Sequence, residues 1–301
     1  MPKVFYDPPI IFDSDMNIYI ILVLLQVVVS ASHLVVRATV QNVDPNLVSV
    51  LRLGIASAVF VLWRFPQRHE FMVIERSDYK HFFLLGVFNL VGQLFFITGL
   101  KYTIPPNAAL LYALTPAVVF GMSAILFGER GSRAKIVGLL IAFGGAGMVL
   151  FDRGADLRPE YLIGNLMEFA GMIMWSCFTI TGKRLVAKYN PFATTAVAMV
   201  ISFMLLLCAL PFIPLSTSYT DITLVQWGGI AYIAIGATVV SYALYNYALS
   251  HLEASKVTVF NNLQPVLTTL FTIAIFQQYP SALFVVGGII ALIGVVITQK
   301  G

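Results

Sequence analysis

The chain has 301 residues, 59% of them hydrophobic and 11% charged, with a mean hydropathy of +0.87, a formal net charge of +4 and a pI near 9.0. Soluble domains carry about 25% charged residues, so this composition excludes a surface dressed for water. The basic residues lie in loops without forming the basic face that a nucleic-acid partner needs, which excludes that partner as well.

In chain order, the first 15 residues carry Lys3, three Asp and the pair Pro8-Pro9. No small-residue cleavage site follows the first apolar run, so 16–36 is predicted as a retained helix and not a signal peptide. Nine further apolar stretches of about 20 residues follow at 46–63, 81–100, 108–127, 135–151, 162–181, 192–212, 227–247, 255–276 and 282–298. Each has the length of a helix crossing a hydrocarbon layer of roughly 30 Å. The predicted fold is all-α, a polytopic membrane protein of ten transmembrane helices, with the lipid bilayer as its solvent. Cys177 and Cys208 fall inside spans and are predicted to be small buried hydrophobes, not a disulfide or metal pair.

Polar residues recur inside the spans at helical spacing. Gln26, Ser30 and His33 share a face of the first, and Arg52 lies in the second. Asn89, Gln93 and Phe96 align on the third, while Asn165, Glu168, Met172 and Trp175 form a stripe on the sixth. Thr238, Tyr242 and Tyr245 do so on the eighth, and the ninth adds Thr258, Asn261 and Asn262. Polar groups in hydrocarbon are costly and usually face a wet cavity, although many serve as hydrogen-bonding glue between helices. Glu168 is the only carboxylate more than about one turn inside a predicted span. It either reads a substrate amine, carries a coupling proton, or is a static partner of Arg52, which is expected at a similar depth. His33 is expected near the end of its helix. Pro116 and Pro265, each removing a mid-span hydrogen bond, are predicted hinges.

The chain also repeats itself at an offset of 149: Leu114 answers to Leu263, Pro116 to Pro265, Gly138 to Gly287, Ala142 to Ala291 and Gly145 to Gly294. The two units predicted are 16–151 and 162–298, five spans each. Thirteen basic residues fall on the side of the termini, including Arg64, Arg68, Arg130, Lys183 and Lys256. Only Arg37, Lys101, Arg153 and Arg158 fall opposite, so both termini are expected to be cytoplasmic. Five spans per unit make the second unit enter from the opposite side, an inverted repeat enclosing a site near the midplane.

The stretch Pro105-Pro106-Asn107-Ala108-Ala109-Leu110-Leu111, continuing through Leu114-Thr115-Pro116 to Gly128-Glu129-Arg130 and Gly144-Gly145, resembles the signature of the drug/metabolite transporter superfamily, EamA type. Arg52 also looks like the arginine those proteins carry in the second span. The second half repeats the pattern more loosely, with Leu263-Gln264-Pro265, and has Gln277-Gln278-Tyr279 where the first has Gly128-Glu129-Arg130. Val29 stands where the sixth span has Trp175, so an aromatic wall is expected on one side only. The resemblance implies export or exchange of small metabolites across the cell (inner or plasma) membrane, and a homodimer contact through the last helices of each repeat, which the sequence leaves open.

The expected function is therefore a secondary transporter exporting small metabolites such as amino acids by alternating access, with no ATP hydrolysis, no cofactor and no metal. The candidate substrate-binding residues are Gln26, Ser30, His33, Asn89, Gln93, Tyr112, Glu168, Trp175, Tyr242, Tyr245, Asn261 and Asn262. The absence of a basic cluster argues against sugar phosphates. A broad-specificity exporter of drugs or organic solutes, or a channel-like permease, is the alternative. No HExxH, nucleophile elbow or GxxxxGK[ST] loop occurs, which argues against an enzyme.

Overall fold

The computed structural model describes residues 15–64, 73–129, 131–153, 158–213, 215–216, 219–276 and 281–300. Among these every regular element is helical. Helices α1 (Asp15–Val40), α2 (Pro45–Arg64) and α3 (Tyr79–Tyr102) are followed by a broken rod, α4 (Pro105–Tyr112) and α5 (Thr115–Phe127). Then come α6 (Arg133–Arg153), α7 (Leu162–Val186) and α8 (Pro191–Ala209). A continuous rod follows, in which α9 (Leu224–Ala231) passes through a π-helical segment, Tyr232–Val240, into α10 (Ser241–His251). A second broken rod is built of α11 (Ala254–Thr258), a 3₁₀ turn at Val259–Asn262 and α12 (Leu263–Phe276), and α13 (Ala282–Lys300) ends the bundle.

Eight helical stretches, beginning with Ile18–Val40 and ending with Ala282–Lys300, are long and apolar enough to cross a membrane. Their outward faces expose Leu62, Ile125, Leu162, Val225 and Ile289. An apolar surface this extensive is unfavourable in water and favourable against lipid, so the chain is a multi-pass membrane protein. Cys208 is one of these exposed residues and Cys177 is half-buried, which corrects the expectation that both lie in the core. In a bilayer an apolar residue needs no protein neighbour, so apolar surroundings in the sequence do not imply burial in the protein.

Local chemistry sets the helix ends. The Asn190 side chain accepts from Ala193 N ahead of Pro191, and Thr223 and Gln226 form a capping box at the start of α9. Gly128 closes α5 with φ of 66°, a left-handed conformation that suits glycine. Pro116 and Pro265 sit in the first turn of α5 and α12, where a missing N–H costs little. The chain breaks just before each one, at residues 113–114 and 259–262, so the irregularity is a broken rod and not the mid-helix kink that the prolines alone predicted.

Helices α6 and α13 pack antiparallel, backbone against backbone. A Cβ on Gly145 would lie 2.3 Å from Ala291 N and 2.6 Å from the Gly287 carbonyl. A Cβ on Gly294 would lie 2.2 Å from Ala142 N and 2.7 Å from the Gly138 carbonyl. At the 149-residue offset these two sets of contacts exchange into one another, as they must for a contact lying on a local twofold axis. Gly144 and Gly147, on the far side of α6, would meet nothing within 4 Å. Alanine at Gly145 or Gly294 should therefore lower the thermal stability of the detergent-purified protein by about 1–3 kcal/mol, whereas Gly144→Ala, with open space around it and the better helix propensity of alanine, should not lower it; equal destabilisation at the two faces would refute this packing.

Candidate functional site

A cavity of about 80 Å³ lies inside the bundle, room for several waters at the roughly 10–15 Å³ each requires. Its wall takes His33 from α1, Arg52 from α2, Asn89, Gln93 and Phe96 from α3, Tyr112 from α4 and Trp175 from α7. Ser241, Tyr242 and Tyr245 of α10 and Asn261 and Gln264 of the second broken rod complete it.

Two groups of rings contribute to the lining. Trp175 contacts Tyr242 at 5.1 Å and Tyr245 at 4.9 Å between ring centroids, and it stacks on Phe178 at 5.3 Å. His33, Phe96 and Tyr112 make the other group, edge to face, with His33 to Phe96 at 5.2 Å and Phe96 to Tyr112 at 5.7 Å. The expected one-sided aromatic wall is thus corrected. Val29 lines the cavity, but rings from α1, α3 and α4 join those of α7 and α10 in the lining. His33 lies more than 60 residues from the other two rings in sequence, and Phe96 alone looks like any packing phenylalanine.

The polar lining is cross-linked. Asn89 Nδ2 donates to Ser202 Oγ at 2.8 Å, and Gln93 Nε2 donates to Asn89 Oδ1 at 2.8 Å and to the Tyr242 hydroxyl at 3.4 Å. Thr179 and Tyr245 share a hydrogen bond of 2.8 Å. Arg52 Nε donates to Thr238 Oγ1 at 2.6 Å, and Thr238 Oγ1 donates in turn to the Ile233 carbonyl five residues back, inside the π-helical segment. His33 Nδ1 donates to the Val29 carbonyl at 3.0 Å. Several buried atoms of the lining have no partner: His33 Nε2, Arg52 Nη1, Gln93 Oε1, Asn261 Nδ2 and Gln264 Oε1. Leaving such groups unpaired costs about 1–3 kcal/mol each, and because these five border open space a solute or water can complete their bonding.

Of the twelve candidate residues, eight line this cavity: His33, Asn89, Gln93, Tyr112, Trp175, Tyr242, Tyr245 and Asn261. Gln26 stands behind them, accepting from Gln264 Nε2 at 2.9 Å and donating to Asn261 Oδ1 at 3.2 Å. Ser30, buried on α1, approaches Thr268 through its carbonyl, and Asn262 Nδ2 bonds back to Val259; neither lines the cavity. Glu168 does not line it either. Its carboxylate is buried against Gly99, where a Cβ would come within 2.7 Å of Oε1, and neither oxygen has a hydrogen-bond partner.

The sixth-span stripe fails because Asn165 and Glu168 are taken up by contacts with α3 and α4. Gly99 admits Glu168, and Asn165 accepts from Thr103 at 2.6 Å and from Asn107 at 3.0 Å. Met172 is fully buried, and only Trp175 reaches the open space. No ion pair joins Glu168 to Arg52 among the described residues, so the static-partner reading of that pair is not what the geometry holds. His33 is 1% exposed and sits seven residues before the end of α1, which runs to Val40; an interfacial position is therefore corrected to a buried one. Gln264 and Ser241 were not anticipated. Gln264 had a signal, its place in Leu263-Gln264-Pro265, whereas Ser241 is turned inward by the π-helical segment, where it donates to the Gly236 carbonyl five residues back.

At the end of the bundle where α5, α6 and α10 meet their loops, Lys135 Nζ reaches Glu129 at 3.0 Å and Glu253 at 2.5 Å. Ser255 Oγ also donates to Glu129. The lysine side chain is 1% exposed and that of Glu129 is 8% exposed. Burial alone would raise the Glu253 carboxyl, but the hydrogen bond from Lys135 and the charges of Lys135, Lys256 and Lys183 hold it below its ordinary range. Arg130 and residues 277–280, which carry the loop difference between the repeats, lie outside the described residues.

A model of the EamA-like transporter family matches residues 16–151 and again 162–299. The chain is 28% identical to an uncharacterized transporter, YyaM, of Bacillus subtilis, over 96% of this chain and 95% of that protein. It is 25% identical to the aromatic amino acid exporter YddG of Ancylobacter novellus, over 65% of this chain and 68% of that one. A solved crystal structure at 22% identity superposes with a TM-score of 0.74, covering 94% of this chain and 95% of the other, which supports the fold.

Lys135→Met should cost roughly 3 kcal/mol or more, because it leaves the buried Glu129 carboxylate unpaired; Glu253→Gln, at a half-exposed group, should cost much less. The depressed Glu253 carboxyl stabilises the fold at neutral pH, above the ordinary glutamate value, and that contribution fades as pH falls through the lowered one. The melting temperature of Glu253→Gln should accordingly fall less steeply on acidification than that of the wild type.

Proposed function

The chain belongs to the EamA-like transporter family and is a membrane transporter; from this premise we propose that it is a secondary exporter of small amphipathic metabolites such as amino acids, working by alternating access without ATP hydrolysis. The observation that carries this reading is one cavity whose wall is contributed by both halves, by α1 to α4 and by α7, α10 and the second broken rod. A site shared between two repeats opens to either side when one repeat rocks against the other.

Ten crossings arranged as two inverted units, 16–151 and 162–298, are supported by the antiparallel, exchange-related contacts of α6 and α13. The positive-inside count supports cytoplasmic termini in the cell membrane. In this orientation the Lys135 network closes the cytoplasmic end, and the breaks before Pro116 and Pro265 are the hinges. The outward face of α6, with Gly144 and Gly147 open, is where we place the homodimer contact.

Small amphipathic solutes fit a lining of rings and amides. The relative printed as an aromatic amino acid exporter supports the same class. Glu168, set off the cavity and lacking any hydrogen-bond partner, is assigned to proton coupling and not to contact with the substrate.

Proteoliposomes loaded with unlabelled L-phenylalanine should accumulate external labelled L-phenylalanine by saturable counterflow. Trp175→Ala should reduce that rate by up to about tenfold, as loss of an aromatic contact worth up to about 1.5 kcal/mol implies. Glu168→Gln should keep counterflow but lose its response to a pH gradient. Ionic current at high unitary rate would instead establish the channel-like alternative, and unchanged pH response in Glu168→Gln would remove the coupling assignment.

A further inference from the structure

Arg52 is the one side chain of Lys, Arg, Asp or Glu type among the described residues that line the cavity. It is 4% exposed, and no ion pair to it occurs among the described residues. A guanidinium keeps its charge in proteins, so burying one without an anion is a standing cost. Its Nε is committed to Thr238 at 2.6 Å, and the Thr238 hydroxyl proton is committed to the Ile233 carbonyl at 2.7 Å. The threonine can therefore only accept from Arg52, which holds the guanidinium by its Nε edge and leaves Nη1 without a partner. The Tyr112 and Tyr242 hydroxyls stand within electrostatic reach of it. Neither is an anion that would neutralise it, and Glu168 faces Gly99 instead.

We propose that Arg52 is the anchor for the carboxylate of the transported solute, and that the cavity takes a monocarboxylate with a flat apolar body. The proposal rests on the transport reading above and names its substrate class. The charge count sets the class: one fixed cation and no acid in the described lining match a single negative charge. A dianion or phosphate would need further donors of the arginine type. The ring faces of Trp175 and Tyr112 receive the body of the solute. An α-amino group finds only amide and hydroxyl oxygens, such as Gln93 Oε1 and Gln264 Oε1, so it is tolerated and not required. Arginine suits the task better than lysine because its planar fork meets a carboxylate along two parallel bonds.

The test uses the purified full chain and its thermal stabilisation by four compounds that share one ring: 3-phenylpropanoate, L-phenylalanine, L-phenylalaninamide and 2-phenylethylamine. A ligand that binds the native state raises its melting temperature. The two carboxylates should stabilise the wild type, with 3-phenylpropanoate at least as effective as L-phenylalanine, and the amide and amine should bind roughly ten- to hundred-fold more weakly, the loss of one charge-assisted bond. Arg52→Gln should lose the carboxylate preference, and Arg52→Lys should retain it at reduced affinity. If Arg52→Gln does not fold, the wild-type series decides by itself. Equal binding of the amide or amine, carboxylate binding that survives in Arg52→Gln, or no stabilisation by either carboxylate would overturn the proposal. Counterflow of neutral or cationic solutes that is indifferent to Arg52→Gln would overturn the anchor and leave the transport reading standing.

Discussion

Hydrocarbon offers no hydrogen bonds, and the arrangement of this bundle follows from that constraint. Every polar side chain inside a span has to find a partner on another helix, bond back to its own backbone, or face enclosed space. The chain uses all three solutions. Asn246 donates to Thr195 at 2.7 Å and Asn165 bonds to Thr103 and Asn107, so these residues tie helices together. Ser176, Thr195 and Thr258 return to carbonyls four residues back. Five of the buried atoms left without a partner among the described residues, on His33, Arg52, Gln93, Asn261 and Gln264, belong to the cavity lining, while others, such as the Glu168 oxygens, are sealed between helices.

Irregular backbone is concentrated around the same space. A regular helix repeats its faces every 3.6 residues, which limits how many side chains one rod can aim at a single point. The π-helical segment at Tyr232–Val240 shifts that register and lets Thr238 hold Arg52 while Ser241 faces the cavity. Such segments are costly and are found mostly at functional sites. The 3₁₀ turn at Val259–Asn262 similarly brings Asn261 and Gln264 into the wall together. Regular, glycine-rich geometry lies elsewhere, where α6 meets α13 closely enough that no Cβ fits at Gly145 or Gly294. The molecule thus pairs a closely packed, regular seam with an irregular centre, the division that the proposed rocking motion would use.

Much of the site was readable from residue type and spacing. The polar and aromatic positions on α3 and α10 converge as helical periodicity predicts, because one face of each rod borders the cavity over its middle turns. The stripe on α7 did not, and Glu168 is the instructive case. Its spacing from Trp175 is compatible with a shared face, yet Gly99 on α3 lets the two helices approach where Glu168 lies, and the carboxylate is sealed into that contact. Spacing says which residues share a face. It does not say how far along that face the neighbouring helix stays in contact.

The amino-acid sequence by itself determined that this protein lives in lipid, that it is built from a repeated unit, and that it carries an EamA-type signature, because hydropathy, spacing and the 149-residue offset are properties of the linear chain. Tertiary structure alone decided which polar residues face open space. It seated Glu168 against Gly99, brought His33, Phe96 and Tyr112 together as a second aromatic group, and left Arg52 with a free donor in the cavity wall. Those outcomes depend on distances between rods separated by tens to hundreds of residues. Such distances are set by which side chains are absent at the helix crossings as much as by those present.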